Sequence, residues 1–179
     1  TKSLRELMEC SHPDWEVLFH LYHDRKMNPM SFLKSEQFLN ILTESCLEKY
    51  PYIAFADAFH TMRSMLLPVL YLLGSEVPLA DTYHAISTGY GGLLACLGGY
   101  VYRRPVLLTE HGIYTREREE EIIRAKWVIP SFKKQWISFF YMLSEAIYKR
   151  AFRVTSLFTN AMLTQIQLSL IHISEPTRH

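Results

Sequence analysis

Between Ala80 and His111 the chain reads ADTYHAI, then STGYGG, then LLACLGGYVY, then PVLLTEH. The first run has the alternation of a short strand, the glycine cluster is a turn, the third run is a helix that stops before Arg103, and the last is a buried strand. Two strands joined through a helix at this spacing predict a right-handed βαβ unit in a parallel sheet, because a parallel pair needs a crossover that a hairpin cannot supply. The fold class is therefore α/β. A ligand of such a sheet sits at the carboxyl ends of the strands.

Strand and helix go on alternating downstream. TREREEEIIRAKW is charged on one side and apolar at Ile122, Ile123 and Trp127, with Pro130 ending it. An amphipathic helix then runs from about Ser131 to Ala151. Its Trp136, Phe139, Phe140, Tyr141 and Tyr148 read as core, the other reading being a membrane-docking face. FRVTSLF is a third strand, and TNAMLTQIQL opens another helix with Thr159 or Asn160 as its cap. Upstream, from Ser3 to about Leu73, apolar residues recur at helical spacing, as in Trp15, Leu18, Phe19 and Tyr22, or Phe38, Ile41, Leu42 and Cys46. Ser11 with Pro13 reads as a helix start, Pro29 and Pro51 as breaks, and Gly74 as a left-handed helix end. The expected organisation is a helical region over 1–78, a sheet domain over 79–168, and a tail, 169–179, whose SLIHISEPTRH breaks the pattern and reads as non-native read-through.

Composition removes several classes of function. The 179 residues are 49% hydrophobic and 13% aromatic, enough for a buried core. Nineteen basic residues face 18 acidic ones, so no broad positive field points to nucleic acid. Cys10, Cys46 and Cys96 are few, scattered and odd in number, which suits neither a disulfide framework nor a paired zinc site and fits a reducing cytosol. The most apolar stretch, Met65 to Leu73, is interrupted by Pro68 and is far shorter than the roughly 20 residues that span a bilayer. The opening TKSLRELMEC has neither the basic start nor the apolar run of a signal peptide, and the natural start is expected upstream.

Four features carry potential chemistry. The turn Ser87-Thr88-Gly89-Tyr90-Gly91-Gly92 leads into a helix whose free N–H groups suit an anion, while its glycines equally serve tight packing on the sheet. Thr109-Glu110-His111-Gly112 puts two ionisable groups at the end of a buried strand, either as a polar tip aimed into a cleft or as a hydrogen-bonded strand cap. His84 lies near the end of the preceding strand, either on the same rim as His111 or as a satisfied core histidine. Arg116, Arg118 and Arg124 suit phosphates or sugar hydroxyls, although the intervening Glu117, Glu119, Glu120 and Glu121 also make an ordinary solvated helix face.

The succession ADTYHAISTGYGGLLA, RPVLLTEHGIYTREREEEI and RVTSLFTNAMLTQIQL resembles the PelF-like branch of glycosyltransferase family 4, over about Phe59 to Leu168. TEHGIYTRERE is specific to that branch, whereas a strand ending in Thr-x-His-Gly after a strand ending in His is shared across the family. The resemblance implies the Rossmann-like amino-terminal half of a GT-B fold, incomplete here, which receives the acceptor. It implies a hexosyltransferase-type enzyme, catalysing retaining transfer from a UDP-sugar to a growing bacterial exopolysaccharide of the Pel type. On matching positions His111 is the catalytic histidine facing the donor sugar. Gly89 to Gly92, Tyr90 among them, line the cleft with Glu110, Gly112 and Arg116, and His84 is the acceptor-side rim histidine.

The same resemblance implies no metal and no cofactor beyond the donor nucleotide sugar, and a cytoplasmic enzyme, peripheral to the inner membrane beside an export complex, with no nucleic-acid partner. The family's phosphate-binding basic pair and paired glutamates belong to a carboxyl-terminal domain that this chain is expected to lack, as is the usual first strand with its glycine loop. The fragment alone is therefore expected to be inactive. Two other readings remain at this point: a non-catalytic nucleotide- or sugar-binding module, and a metal-dependent hydrolase using His84, Glu110 and His111, which no His-x-x-x-His spacing supports.

Overall fold

The computed structural model describes residues 2–156. The helix expected from Thr159 or Asn160 and the segment from Ser169 onwards lie outside the described residues. The chain divides into two units, one of residues up to Glu76 with Glu121–Phe139, the other of Val77–Glu120 with the chain from Phe140 on. Residues 121–139 thus return to the helical unit, although they follow the second strand in sequence.

In the first unit, α1 (Lys2–Met8), α2 (Trp15–Phe19), a π-helical turn (His20–Asp24), α3 (Pro29–Leu33), α4 (Glu36–Lys49) and α5 (Phe55–Leu73) follow one another. Their starts are chemically marked. Asp14 caps α2 by accepting from the N–H groups of Glu16 and Val17, Asn28 caps α3 with Pro29 in the first turn, and Ser35 caps α4 through the Phe38 N–H. Asp14 replaces the Ser11 start that the sequence suggested, because the Ser11 hydroxyl instead donates back to the Glu6 carbonyl at 3.2 Å and closes α1. Gly74 is likewise not left-handed: its φ is −91° and its N–H bonds the Tyr71 carbonyl at 3.2 Å, a tightened last turn open to any residue. Pro68 does not break α5, which runs through it with Met65, Leu66, Val69, Leu70 and Leu73 buried. Burying such side chains contributes roughly 1.5–3 kcal/mol each, enough to offset one lost backbone hydrogen bond.

The core of this unit is aromatic and aliphatic. Phe38 meets Phe32 and Phe59 edge-on at 5.6 and 5.8 Å, and Tyr50 lies 4.5 Å from Phe132 in the returning segment. Gln135 ties that segment down by donating to the Met8 carbonyl at 2.8 Å and accepting from the Tyr50 hydroxyl. Cys10, Cys46 and Cys96 are free thiols. Among the described residues no helix is long and apolar enough to cross a membrane.

The second unit carries the sheet. β1 (Tyr83–Ala85), β2 (Val106–Glu110) and β3 (Arg153–Ser156) are parallel and stand in the order β1-β2-β3. α6 (Gly89–Tyr102) connects the first two; α7 (Tyr114–Arg124), a 3-10 turn at Pro130–Phe132 and α8 (Lys133–Arg150) lie between the second and third. The fold is mixed α/β with a parallel sheet, as the spacing requires. Register puts Tyr83, Ala85, Val106, Leu108 and Glu110 on one face and His84, Leu107, Thr109 and Thr155 on the other. The first face is buried. α6 approaches it closely because Gly98 and Gly99 lack side chains: an added Cβ would stand 2.4 Å from the Tyr83 ring or 2.5 Å from Val106. Arg103 then ends α6 in the left-handed conformation, φ 51°.

Candidate functional site

Where β1 and β2 end, the chain forms an open cleft of about 190 Å³ lined by Ile86, Ser87, Glu110, His111, Gly112, Tyr114 and Glu117. Ile86 and Ser87 follow β1, Glu110 to Gly112 close β2, and Tyr114 and Glu117 come from the first turn of α7. This is the carboxyl end of the parallel sheet, the place where the topology leaves a crevice.

Glu110 is the most deeply set of these groups, 2% exposed. Its Oε2 accepts a short hydrogen bond from the Tyr148 hydroxyl on α8. Burial first, and the facing carboxylate second, push the Tyr148 phenol far above its usual range, so it stays a donor. His111 in contrast stands exposed in the loop after β2. Glu117 folds back towards that loop: a Cβ on Gly112 would meet its Oε1 at 2.5 Å. Two carboxylates, an imidazole, a serine hydroxyl and a tyrosine thus border one opening, and among the described residues no lysine or arginine lines it.

The glycine turn answers chiefly to packing. Gly89 has φ +69°, a conformation strained for any residue with a Cβ, and the Tyr114 ring lies where that Cβ would be, 2.6 Å away. A Cβ on Gly92 would press Ile147 of α8 at 3.0 Å, whereas Gly91 has room, its nearest neighbour being Ser87 Oγ at 3.8 Å. The Tyr90 ring meets Phe140 edge-on at 6.5 Å, and burial, with the nearby Tyr114, pushes its phenol up to about 12. Thr88 precedes α6 without capping it, its buried hydroxyl pairing instead with Ser144 Oγ at 2.7 Å. Residues 89–92 do not line the cleft; with its Tyr114 lid, the start of α6 is a packing joint.

His84 lies on the sheet face opposite Glu110. Its Nε2 is 2.9 Å from Thr109 Oγ1, which is 2.9 Å from Thr155 Oγ1, which donates to the Leu108 carbonyl at 3.2 Å. Since the carbonyl only accepts, Thr155 donates to it, Thr109 donates to Thr155, and His84 supplies Nε2–H to Thr109. His84, Glu110 and His111 therefore do not converge as a ligand set. Among the described residues no group of three His, Cys, Asp or Glu side chains is arranged to hold a metal ion.

Arg116 is exposed on α7 and Arg124 at its end, neither lining the cleft; Arg118 lies 5.4 Å over the Tyr114 ring. Sequence reasoning passed over Tyr148, which it assigned to core, and Glu117, which it assigned to a solvated face. The one available signal for the cleft's α7 wall was that Tyr114 and Glu117 follow Gly112 within a single turn.

Comparison with curated proteins and with solved structures finds no match. The family described as a domain of unknown function, DUF3492, matches residues 1–169 and so spans both units. The chain belongs to the DUF3492 family.

Proposed function

We propose that this chain forms the acceptor-facing half of a retaining glycosyltransferase, which moves a sugar from a UDP-sugar to a growing bacterial exopolysaccharide of the Pel type. The observation that carries the reading is the character of the cleft. Carboxylates, an imidazole and hydroxyls accept hydrogen bonds from and donate them to sugar hydroxyls, and the described residues of its walls, two carboxylates among them, offer no lysine or arginine cation to a nucleotide's phosphates. Such a surface suits the neutral acceptor, with donor phosphates held by a second domain. The resemblance of TEHGIYTRERE to the PelF-like branch of glycosyltransferase family 4 supports the same assignment.

In this proposal His111, exposed at the tip of β2, orients the donor sugar and shares its developing oxocarbenium charge. Glu110, fixed by Tyr148 at the end of β2, and Glu117 from α7 hold acceptor hydroxyls. The work is expected to take place at the cytoplasmic side of the inner membrane. The purified 179-residue chain should not turn over a UDP-sugar, because the donor site is assigned to the second domain.

The test is His111→Ala in a protein that carries both halves. Loss of one charge-stabilising donor should lower kcat by about 100-fold with little change in acceptor KM. Wild-type kcat in that variant would refute the role of His111. Binding of UDP, but of no oligosaccharide, to the isolated chain would instead favour a nucleotide-binding module.

A further inference from the structure

Glu121–Phe139, the segment that returns to the helical unit, carries a surface with no part in the cleft. Ile123 is 55% exposed and Trp127 is 68% exposed. The Trp127 ring stands edge-on to the buried Trp136, centroids 5.7 Å apart, so a fixed partner holds a large indole out at the surface. Lys133 at the start of α8 donates its ammonium to the Ile123 carbonyl, which brings the second helix start beside the end of α7. Along the chain these two apolar side chains are accompanied by Arg124, Lys126, Lys133 and Lys134 against two acids, Glu120 and Glu121, in a chain whose net charge is only +1. Arg124, Lys126 and Lys134 are exposed.

An exposed tryptophan and isoleucine within a basic surround combine two attractions. The apolar groups gain from leaving water, and the cations gain from an anionic plane, while their stems lie along the apolar layer. Two side chains are far too little for a stable protein partner, which buries about 800 Å² per side. They suffice for shallow entry into a headgroup region. We infer that this face docks on an anionic lipid surface, with Trp127 and Ile123 entering the headgroup boundary and the exposed Arg124, Lys126 and Lys134 facing lipid phosphates. The inference is independent of the transferase reading, since none of these residues lines the cleft.

Co-sedimentation of the full chain with vesicles tests it. The chain should bind phosphatidylglycerol-containing vesicles and leave phosphatidylcholine vesicles alone, and salt should weaken the binding. Each basic residue at such a surface strengthens binding about fivefold, so Lys126→Gln with Lys134→Gln should weaken partition about 25-fold. Tryptophan emission should shift to the blue on binding, and Trp127→Phe should remove most of that shift. Trp127→Ser should lose at least about tenfold in partition. If that variant melts early, the exposed lysine pair carries the test. Failure to bind anionic vesicles, equal binding to neutral ones, or unchanged partition in the lysine variant would each overturn the proposal.

Discussion

Tyr148 of α8 donates its hydroxyl to Oε2 of Glu110 at the end of β2, and both side chains are withdrawn from water. The pair joins a helix to the tip of the central strand at the point where the cleft begins. Tyr148→Phe keeps the ring and removes the donor, so the buried carboxylate loses a strong hydrogen bond at a cost of about 2 kcal/mol. Glu110→Gln in the same background should restore part of that loss, a coupling of about 1 kcal/mol in a double-mutant cycle read by urea denaturation. Strictly additive effects would mean that the two groups act independently.

The two ends of the glycine turn should respond oppositely to a methyl group. Gly89→Ala meets both a positive φ and the Tyr114 ring and should destabilise by about 2 kcal/mol or more. Gly91→Ala has space within a helical turn and should be neutral or stabilise by about 0.5 kcal/mol. Trimming the obstacle with Tyr114→Ala should recover only the steric part of the Gly89→Ala loss. Thermal melts of the four variants separate these contributions.

Alkaline pH should unfold the chain early. Burial raises the Tyr22 and Tyr148 phenols, raises Tyr90 to about 12 from an ordinary 10.0, and raises the Cys10 thiol to about 12 from 9.0. Between the ordinary and the raised values the unfolded chain has released protons that the folded chain keeps, so stability falls as pH rises. It should be full below about pH 9 and decline towards pH 12, first through Cys10 and then through the tyrosines. Cys10→Ala should remove most of the decline that begins near pH 9, leaving the share of Cys46, whose thiol burial also raises, a change that melting curves across this range would detect.

The ladder from His84 through Thr109 to Thr155 fixes a tautomer. Long-range proton–nitrogen correlation spectra should show His84 protonated at Nε2 and bare at Nδ1 when neutral. Thr109→Val should abolish that preference while costing under about 1 kcal/mol, because His84 and Thr155 are exposed.

The parallel sheet was legible in the sequence because its signals are local: alternation in ADTYHAI and PVLLTEH, glycine punctuation, and a helix stopping at Arg103. The place of the cleft followed from topology, since residues that end parallel strands share a rim. What escaped depends on partners distant in sequence or on competing local bonds. Tyr148 is 38 residues from Glu110, and nothing in an aromatic helix distinguishes the one ring whose hydroxyl meets a carboxylate. Ser11 resembled a cap, but its hydroxyl found the Glu6 carbonyl first. Gly74 matched the residue type of a left-handed end while the backbone took a conformation open to all. His84 and His111 share a strand end in projection, yet a period of two puts His84 on the face opposite Glu110.

Each unit is assembled from two separated pieces of chain, with one boundary between α5 and β1 and the other two inside α7 and α8. Units of packing are therefore not continuous stretches of gene here. One recombination point or one protease nick anywhere between Val77 and Phe139 divides both units at once and frees neither. Exchange of the sheet-bearing unit between related genes would need three coordinated breakpoints, two of them inside helices. The family match over residues 1–169 runs unbroken through all three boundaries.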